Sequence, residues 1–249
     1  NPDTQTSTLG GGYTVAFDPR DWSSGVALSL RADLGVTLGT GVAAWTDQSP
    51  AARVYSQATG TKQPTVTALI NSKATLSHAG ASSQFLQNTT PFALTVGHLL
   101  MVAQLVADPP AVHTGGLRFG SGSGDHYPFT DGVIYDSFGT TTRKTTVNPA
   151  ASLAAAHCYE VVSKTGGVGS ASFRTYLNGT LLFTNPGATT VGWEPAGSLI
   201  GASTDVAGIV ATRYMNGAIA ELVILDHEAT AGEYTDWKAY VLRYYGVVM

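Results

Sequence analysis

The chain is short of charge. Charged residues make up 12% of its 249 residues, about half the share of roughly 25% in an average soluble domain. Counting 13 basic against 17 acidic residues gives a net charge of -4, and no basic run could neutralise a phosphate backbone, so nucleic acid is excluded as an expected partner. Long apolar runs are also lacking. The longest, at 98–106 and 218–225, fall well short of the roughly 20 residues a membrane helix needs, so no membrane insertion is expected. Cys158 is the only cysteine, which rules out an internal disulfide and a thiolate metal site. Set between the runs 154–157 and 159–162, it is expected to be a small buried apolar side chain rather than a reactive thiol. The histidines 78, 98, 113, 126, 157 and 227 show neither His-x-His nor His-Glu-x-x-His spacing, so zinc has no ligand set. No apolar signal core follows Asn1, and the expectation is of a leader already removed or of a segment cut from a longer chain.

What is abundant is glycine, 29 residues, scattered with Thr and Ser between short extended runs. These runs are expected at 28–32, 42–46, 65–69, 98–106, 133–138, 159–163, 173–177, 181–184, 199–202 and 218–225, with turn residues separating nearly all of them. The clearest hairpin is 173–183, because Asn178-Gly179 supplies the two positive φ angles of a type I′ turn. Short strands without intervening helices predict an all-β sandwich of two antiparallel sheets packed face to face. No fixed-period repeat is visible, which excludes a propeller or solenoid. Residues 1–12, nearly all small or polar, read as a flexible tail, and no composition break divides 13–249 into further domains.

One long helix is expected, at the C-terminus. Thr230 and Glu233 make a capping box, Tyr234, Trp237, Val241 and Tyr245 form one apolar stripe, and Gly246 is placed to close the end. The stripe predicts a helix packed on the outside of the sandwich near the last strand.

Three segments carry a family resemblance. Leu28-Ser29-Leu30-Arg31-Ala32-Asp33 followed by Trp45-Thr46-Asp47-Gln48-Ser49, with Gln63-Pro64 and Asn71-Ser72 further on, is similar to the opening of the laminin G-like, concanavalin A-like lectin/glucanase domains of bacterial secreted and phage proteins. Tyr176-Leu177-Asn178-Gly179 resembles their shared hairpin, and 216–225 with the helix and Tyr245-Gly246 resembles their closing strand and helix. The resemblance implies a concanavalin A-like jelly roll sealed by its own helix. It says little about ligand, since the shared residues are mostly packing and turn residues.

Glucanases of this fold use paired carboxylates in a Glu-x-Asp-x-x-Glu run. Among Glu160, Glu194, Glu221, Glu228 and Glu233 none starts that run, so the chain is expected not to be an enzyme. No Gly-x-Ser-x-Gly elbow marks a nucleophile. Gly120 to Asp125 lacks the Lys-Ser/Thr of a phosphate loop and reads as a flexible inter-strand loop. Asp226-His227-Glu228 reads as a solvated turn. No cofactor is expected; Asp125, Asp131 and Asp136 are the candidates for a structural calcium ion, without the fixed spacing of an EF-hand.

Sugar recognition needs only aromatic faces and neighbouring polar groups. The candidate glycan-binding residues are Trp193, in a turn-like context, with Tyr127, His126, Tyr135 and Asp125 around the glycine-rich loop. Trp45 with Asp47 is expected to be a packed ring beside a turn-capping carboxylate, and Trp22 a surface or interface residue. The expected function is therefore a carbohydrate-binding, lectin-like module of a secreted or virion-surface protein. The alternative is a structural virion protein, a capsid decoration or fibre domain, that meets other surface proteins or its own copies through the sandwich.

Overall fold

The computed structural model describes residues 8–9, 13–14, 17–22, 24–168 and 171–249. The tail expected over 1–12 lies outside the described residues, apart from Thr8–Leu9, which pair with Tyr13–Thr14. The strand Gly217–Leu225 is the spine of the molecule, and all nine of its residues are buried. It pairs antiparallel with Val96–Leu105 on one side; on the other its first half meets Lys73–His78 and its second half Val26–Arg31. His157–Lys164, Phe173–Leu177 and Thr180–Thr184 extend the sheet one way and Thr65–Ile70 the other, giving eight strands among the described residues. A second sheet of six strands, in the order Leu117–Arg118, Ser198–Ile200, Leu86–Asn88, Val54–Ser56, Val42–Thr46 and Val36–Leu38, faces it. The fold is the expected jelly-roll β-sandwich.

Side chains of a strand alternate between two faces, and here both faces of the larger sheet are covered. Leu99, Met101, Leu222 and Ile224 point into the sandwich with Trp45, Tyr55 and Leu86. Leu100, Val102, Cys158, Val223 and Leu225 point outward and are covered by Trp237, Tyr240, Val241 and Tyr245. That double covering is why the spine is apolar without alternation. The helix spans Ala231–Tyr245, with the expected Thr230–Glu233 capping box and Gly246 closing it in the left-handed conformation. Trp237 Nε1 donates to Cys158 Sγ at 3.3 Å, and burial pushes the thiol well above its ordinary range.

Several local expectations are met. The Asn178-Gly179 turn joins Phe173–Leu177 to Thr180–Thr184, both residues at positive φ. Trp45 is fully buried, its Nε1 donating to the Arg31 carbonyl at 3.1 Å, while the Asp47 carboxylate accepts from Ser29 N, Ser49 N and Ser49 Oγ. Asn71-Ser72 forms a second left-handed turn, between Thr65–Ile70 and Lys73–His78.

Others are corrected. The run expected at 133–138 shortens to Tyr135–Asp136, because the Asp136 carboxylate captures the amide of Phe138 at 2.6 Å and turns the chain. The loop from Gly120 to Asp125 is pinned, not free: Ser121 N, Gly122 N and Gly124 N donate to the carbonyls of Gly192, Thr140 and Thr204. Trp22 packs between Phe17 and Trp237 on the helix side and is half-buried. Glu221 lies under the helix, where the hydroxyls of Tyr240 and Tyr245 each donate to it at 2.6 Å. Burial holds its pKa up at about 7, with the two hydroxyls pulling the other way.

Candidate functional site

Four of the five residues expected to bind glycan do meet in space. Asp125, His126, Tyr127 and Tyr135 line one pocket inside the sandwich, with Asp136 and Tyr159. Its volume is about 20 Å³, room for about one water molecule and none for a sugar ring. Tyr127 is 5% exposed. Its hydroxyl sits 2.6 Å from His157 Nε2; since His157 Nδ1 contacts the Ala155 carbonyl at 2.8 Å, Nδ1 carries the hydrogen and Nε2 accepts from the tyrosine. Burial lowers the pKa of His126 to about 4, with Arg213 adding to the effect. Trp193 is not in that pocket; it packs on Phe92 and Phe138, with Nε1 donating to the Leu94 carbonyl at 2.8 Å. Tyr127 and His126 are buried, while Trp193 and Tyr135 are half-buried with neighbours already on their rings, Phe92 and Phe138 on the first and His126 and Arg143 on the second.

The calcium candidates do not converge either. Asp131 is exposed and caps Val133 N, while Asp136 receives the Tyr159 hydroxyl. Among the described residues no group of three or more His, Cys, Asp or Glu is placed to hold a metal ion. Asp125 is instead buried, with the half-buried Asp136 near enough for its charge to act on it. Burial raises the pKa of Asp125 to about 8, with the charge of Asp136 adding to it, and Oδ1 has no partner among the described residues. An unfolded aspartate ionises near 3.8, so the folded state holds the proton to higher pH. Its stabilising contribution is complete below about pH 4 and is lost as the pH rises toward 8. Asp125→Asn, which cannot ionise, is expected to stabilise the protein relative to wild type increasingly from pH 4 to 8. Urea midpoints across that range measure it; parallel curves would contradict the assignment.

A second recess lies outside the sandwich, where the outer strands of the larger sheet run past the start of the helix. Residues opposite one another in adjacent strands share a face. The pairs His98 with Val162, Leu100 with Glu160, Glu160 with Tyr176 and Val162 with Arg174 therefore all face the helix side. The helix packs on Cys158 and Leu100 and thins out over His98, Glu160 and Val162, which are still buried. The result is an open cleft of about 200 Å³, floored by His98, Glu160 and Tyr176 and walled by Glu228, Ala229 and Tyr234.

Each group in the cleft is held in place. Ala229 N donates to His98 Nδ1 at 3.0 Å, so His98 carries its hydrogen on Nε2. That nitrogen is buried without a partner among the described residues, 3.9 Å from Glu160 Oε2. Glu160, 1% exposed, accepts the Tyr234 hydroxyl on Oε1 at 3.1 Å. Glu228 bridges two cations, accepting from Lys164 Nζ at 2.8 Å and from the Arg174 guanidinium. Burial pulls its pKa upward, but the hydrogen bonds from Lys164 and Arg174 outweigh it and hold it below the usual range. Burial raises the pKa of Tyr176 and, more strongly, of Tyr234, where the Glu160 charge contributes. Lys238 Nζ sits 5.0 Å from the Tyr234 ring centroid, whereas among the described residues no ring or cation is recorded stacked on the half-buried Tyr176. The expectation that Asp226-His227-Glu228 is merely a solvated turn is corrected for Glu228. His227 does bridge Asp226 and Glu233, and hydrogen bonds to both overcome burial to raise its pKa.

No family model matches the chain, and no curated protein matches it. Solved structures do. Trypanosoma rangeli sialidase in complex with sialic acid aligns at a TM-score of 0.55 with 11% identity, over 93% of this chain and 35% of the sialidase chain. The binding domain of botulinum neurotoxin DC in complex with SialylT aligns at 0.56 with 11% identity, over 91% of this chain and 52% of that one. The chain shares their β-sandwich fold. It spans about a third of the sialidase chain's length and about half of the toxin domain chain's.

The expectation that the chain is not an enzyme is corrected by the first comparison. It rested on the missing Glu-x-Asp-x-x-Glu run, yet a solved chain that contains this sandwich is a sialidase, a glycoside hydrolase. The missing run therefore does not separate this chain from glycoside hydrolases. Among the described residues no helix is long and apolar enough to cross a membrane.

Proposed function

We propose that the chain is a carbohydrate-binding sandwich, and that the cleft between the outer strands and the helix start is its sugar site. One observation carries this. The half-buried Tyr176 ring, with no recorded stacking partner, lines the same 200 Å³ recess as an unspent buried donor, His98 Nε2, and a carboxylate with one oxygen unbonded among the described residues. A sugar ring offers an apolar face for the tyrosine and hydroxyls for the polar groups. The sandwich shared with the sialidase and the toxin binding domain, and the laminin G-like cast of the Trp45 turn and closing helix, support the same reading. An extracellular or virion-surface setting is the one in which such a domain meets glycans.

Tyr176 bears on binding more than on folding, because it is only half-buried at the sheet's outer strands. Tyr176→Ala is expected to weaken glycan binding about tenfold, equivalent to about 1.4 kcal/mol, with the melting temperature nearly unchanged. A glycan panel followed by calorimetry measures both. Binding that survives the substitution, or a wild-type protein that holds no glycan, would sink the proposal.

A further inference from the structure

We infer that the cleft selects a saccharide bearing a free amine, an amino sugar, over neutral and anionic sugars; this deepens the carbohydrate-binding reading of the same site and rests on it. Glu160 is buried on its strand, yet its one recorded hydrogen bond is from the Tyr234 hydroxyl. Its nearest basic group is His98, whose Nε2 lies 3.9 Å from Oε2, too far to hydrogen-bond. His98 does not supply a compensating charge, since Nδ1 accepts the Ala229 amide and the ring is in its neutral form. Lys164 and Arg174, which do not line the cleft, pair with Glu228 at its rim. A carboxylate removed from water needs a cation or further donors, and among the described residues none is recorded on Oε2.

A sugar ammonium supplies both. Its charge and its hydrogens fit Glu160 Oε2, while His98 Nε2, itself buried with 4% exposure and unpartnered, donates to the oxygen of the neighbouring hydroxyl. An amine and a hydroxyl on adjacent ring carbons match that acceptor and donor set side by side. A sugar carboxylate at the same depth meets Glu160 with like charge.

The test is calorimetric titration of the whole chain with three probes: a glucosamine oligosaccharide with free amines, its N-acetylated counterpart, and sialyllactose. The free amine is expected to bind at least about tenfold more tightly than the N-acetylated sugar, with sialyllactose weakest. Glu160→Gln is expected to erase the preference to within about twofold, whatever its effect on overall affinity. Should that variant fail to fold, the wild type carries the test with a glucose oligosaccharide of the same length, a hydroxyl standing for the amine, which is expected to bind at least about tenfold more weakly than the free amine. Equal binding of the amine and its acetylated or hydroxyl form, or tighter binding of sialyllactose, would overturn the inference. Binding of other glycans without any of the three probes would overturn it too, yet leave the sugar site standing. No glycan of any class would remove both.

Discussion

Trp193→Ala is expected to lower the unfolding free energy by about 3 kcal/mol, the lower end of the cost of removing a packed Trp. The ring lies between Phe92, at a centroid distance of 5.5 Å, and Phe138, edge-on at 5.2 Å. The backbone is shaped to receive it: a Cβ on Gly97, in the strand Val96–Leu105, would meet the ring at 2.7 Å. Removing the indole leaves a cavity between these walls and strands the Leu94 carbonyl, which now accepts from Nε1. Trp193→Phe keeps most of the packing and loses chiefly that hydrogen bond, about 1 kcal/mol. Urea unfolding of the two variants checks the order. An alanine variant as stable as wild type would mean that the ring is a surface group after all, as the turn-like sequence around it suggests.

Arg118→Met is expected to cost about 3–5 kcal/mol, because it leaves a buried carboxylate without its cation. Arg118 is fully buried, and its guanidinium donates to Glu194 Oε2 at 2.6 Å. Glu194 also accepts from the backbone amides of Ala196 and Gly208, so its carboxylate ties three segments together. Converting it to an amide in the double variant Arg118→Met/Glu194→Gln removes the orphaned charge and keeps an acceptor. The double variant is therefore expected to be more stable than the Arg118→Met single. Thermal melts of wild type, both singles and the double give the coupling. Additive losses would show that the pair contributes no more than its separate packing.

The two cases show where local pattern stops being informative. The closing strand, the capped helix, the Asn178-Gly179 hairpin and the Trp45 turn were legible because each is specified by residues adjacent in sequence: periodicity, a capping pair, a positive-φ dipeptide. Lys73–His78 and Leu86–Asn88 were missed: the first carries only two apolar residues, Ala74 and Leu76, and the second is three residues long, so pairing with other strands decides that they are extended. Trp193 was misplaced for the same reason. What half-buries it is the segment around Leu94 and Gly97, roughly a hundred positions earlier in the chain.

The site divides along the same line. Asp125, His126, Tyr127 and Tyr135 were found together because they are close in sequence, and they do share a pocket, but its size makes it structural. The cleft residues His98, Glu160, Tyr176, Glu228 and Tyr234 come from three strands, a turn and a helix start. No spacing links them. Sequence alone determined that this chain folds as an all-β sandwich sealed by a C-terminal helix, because strand alternation, turn chemistry and capping act over a few residues. Only the tertiary structure decided which aromatics are core and which polar groups stay unpaired, because burial and pairing are set by strand register and by where the helix stops covering the sheet.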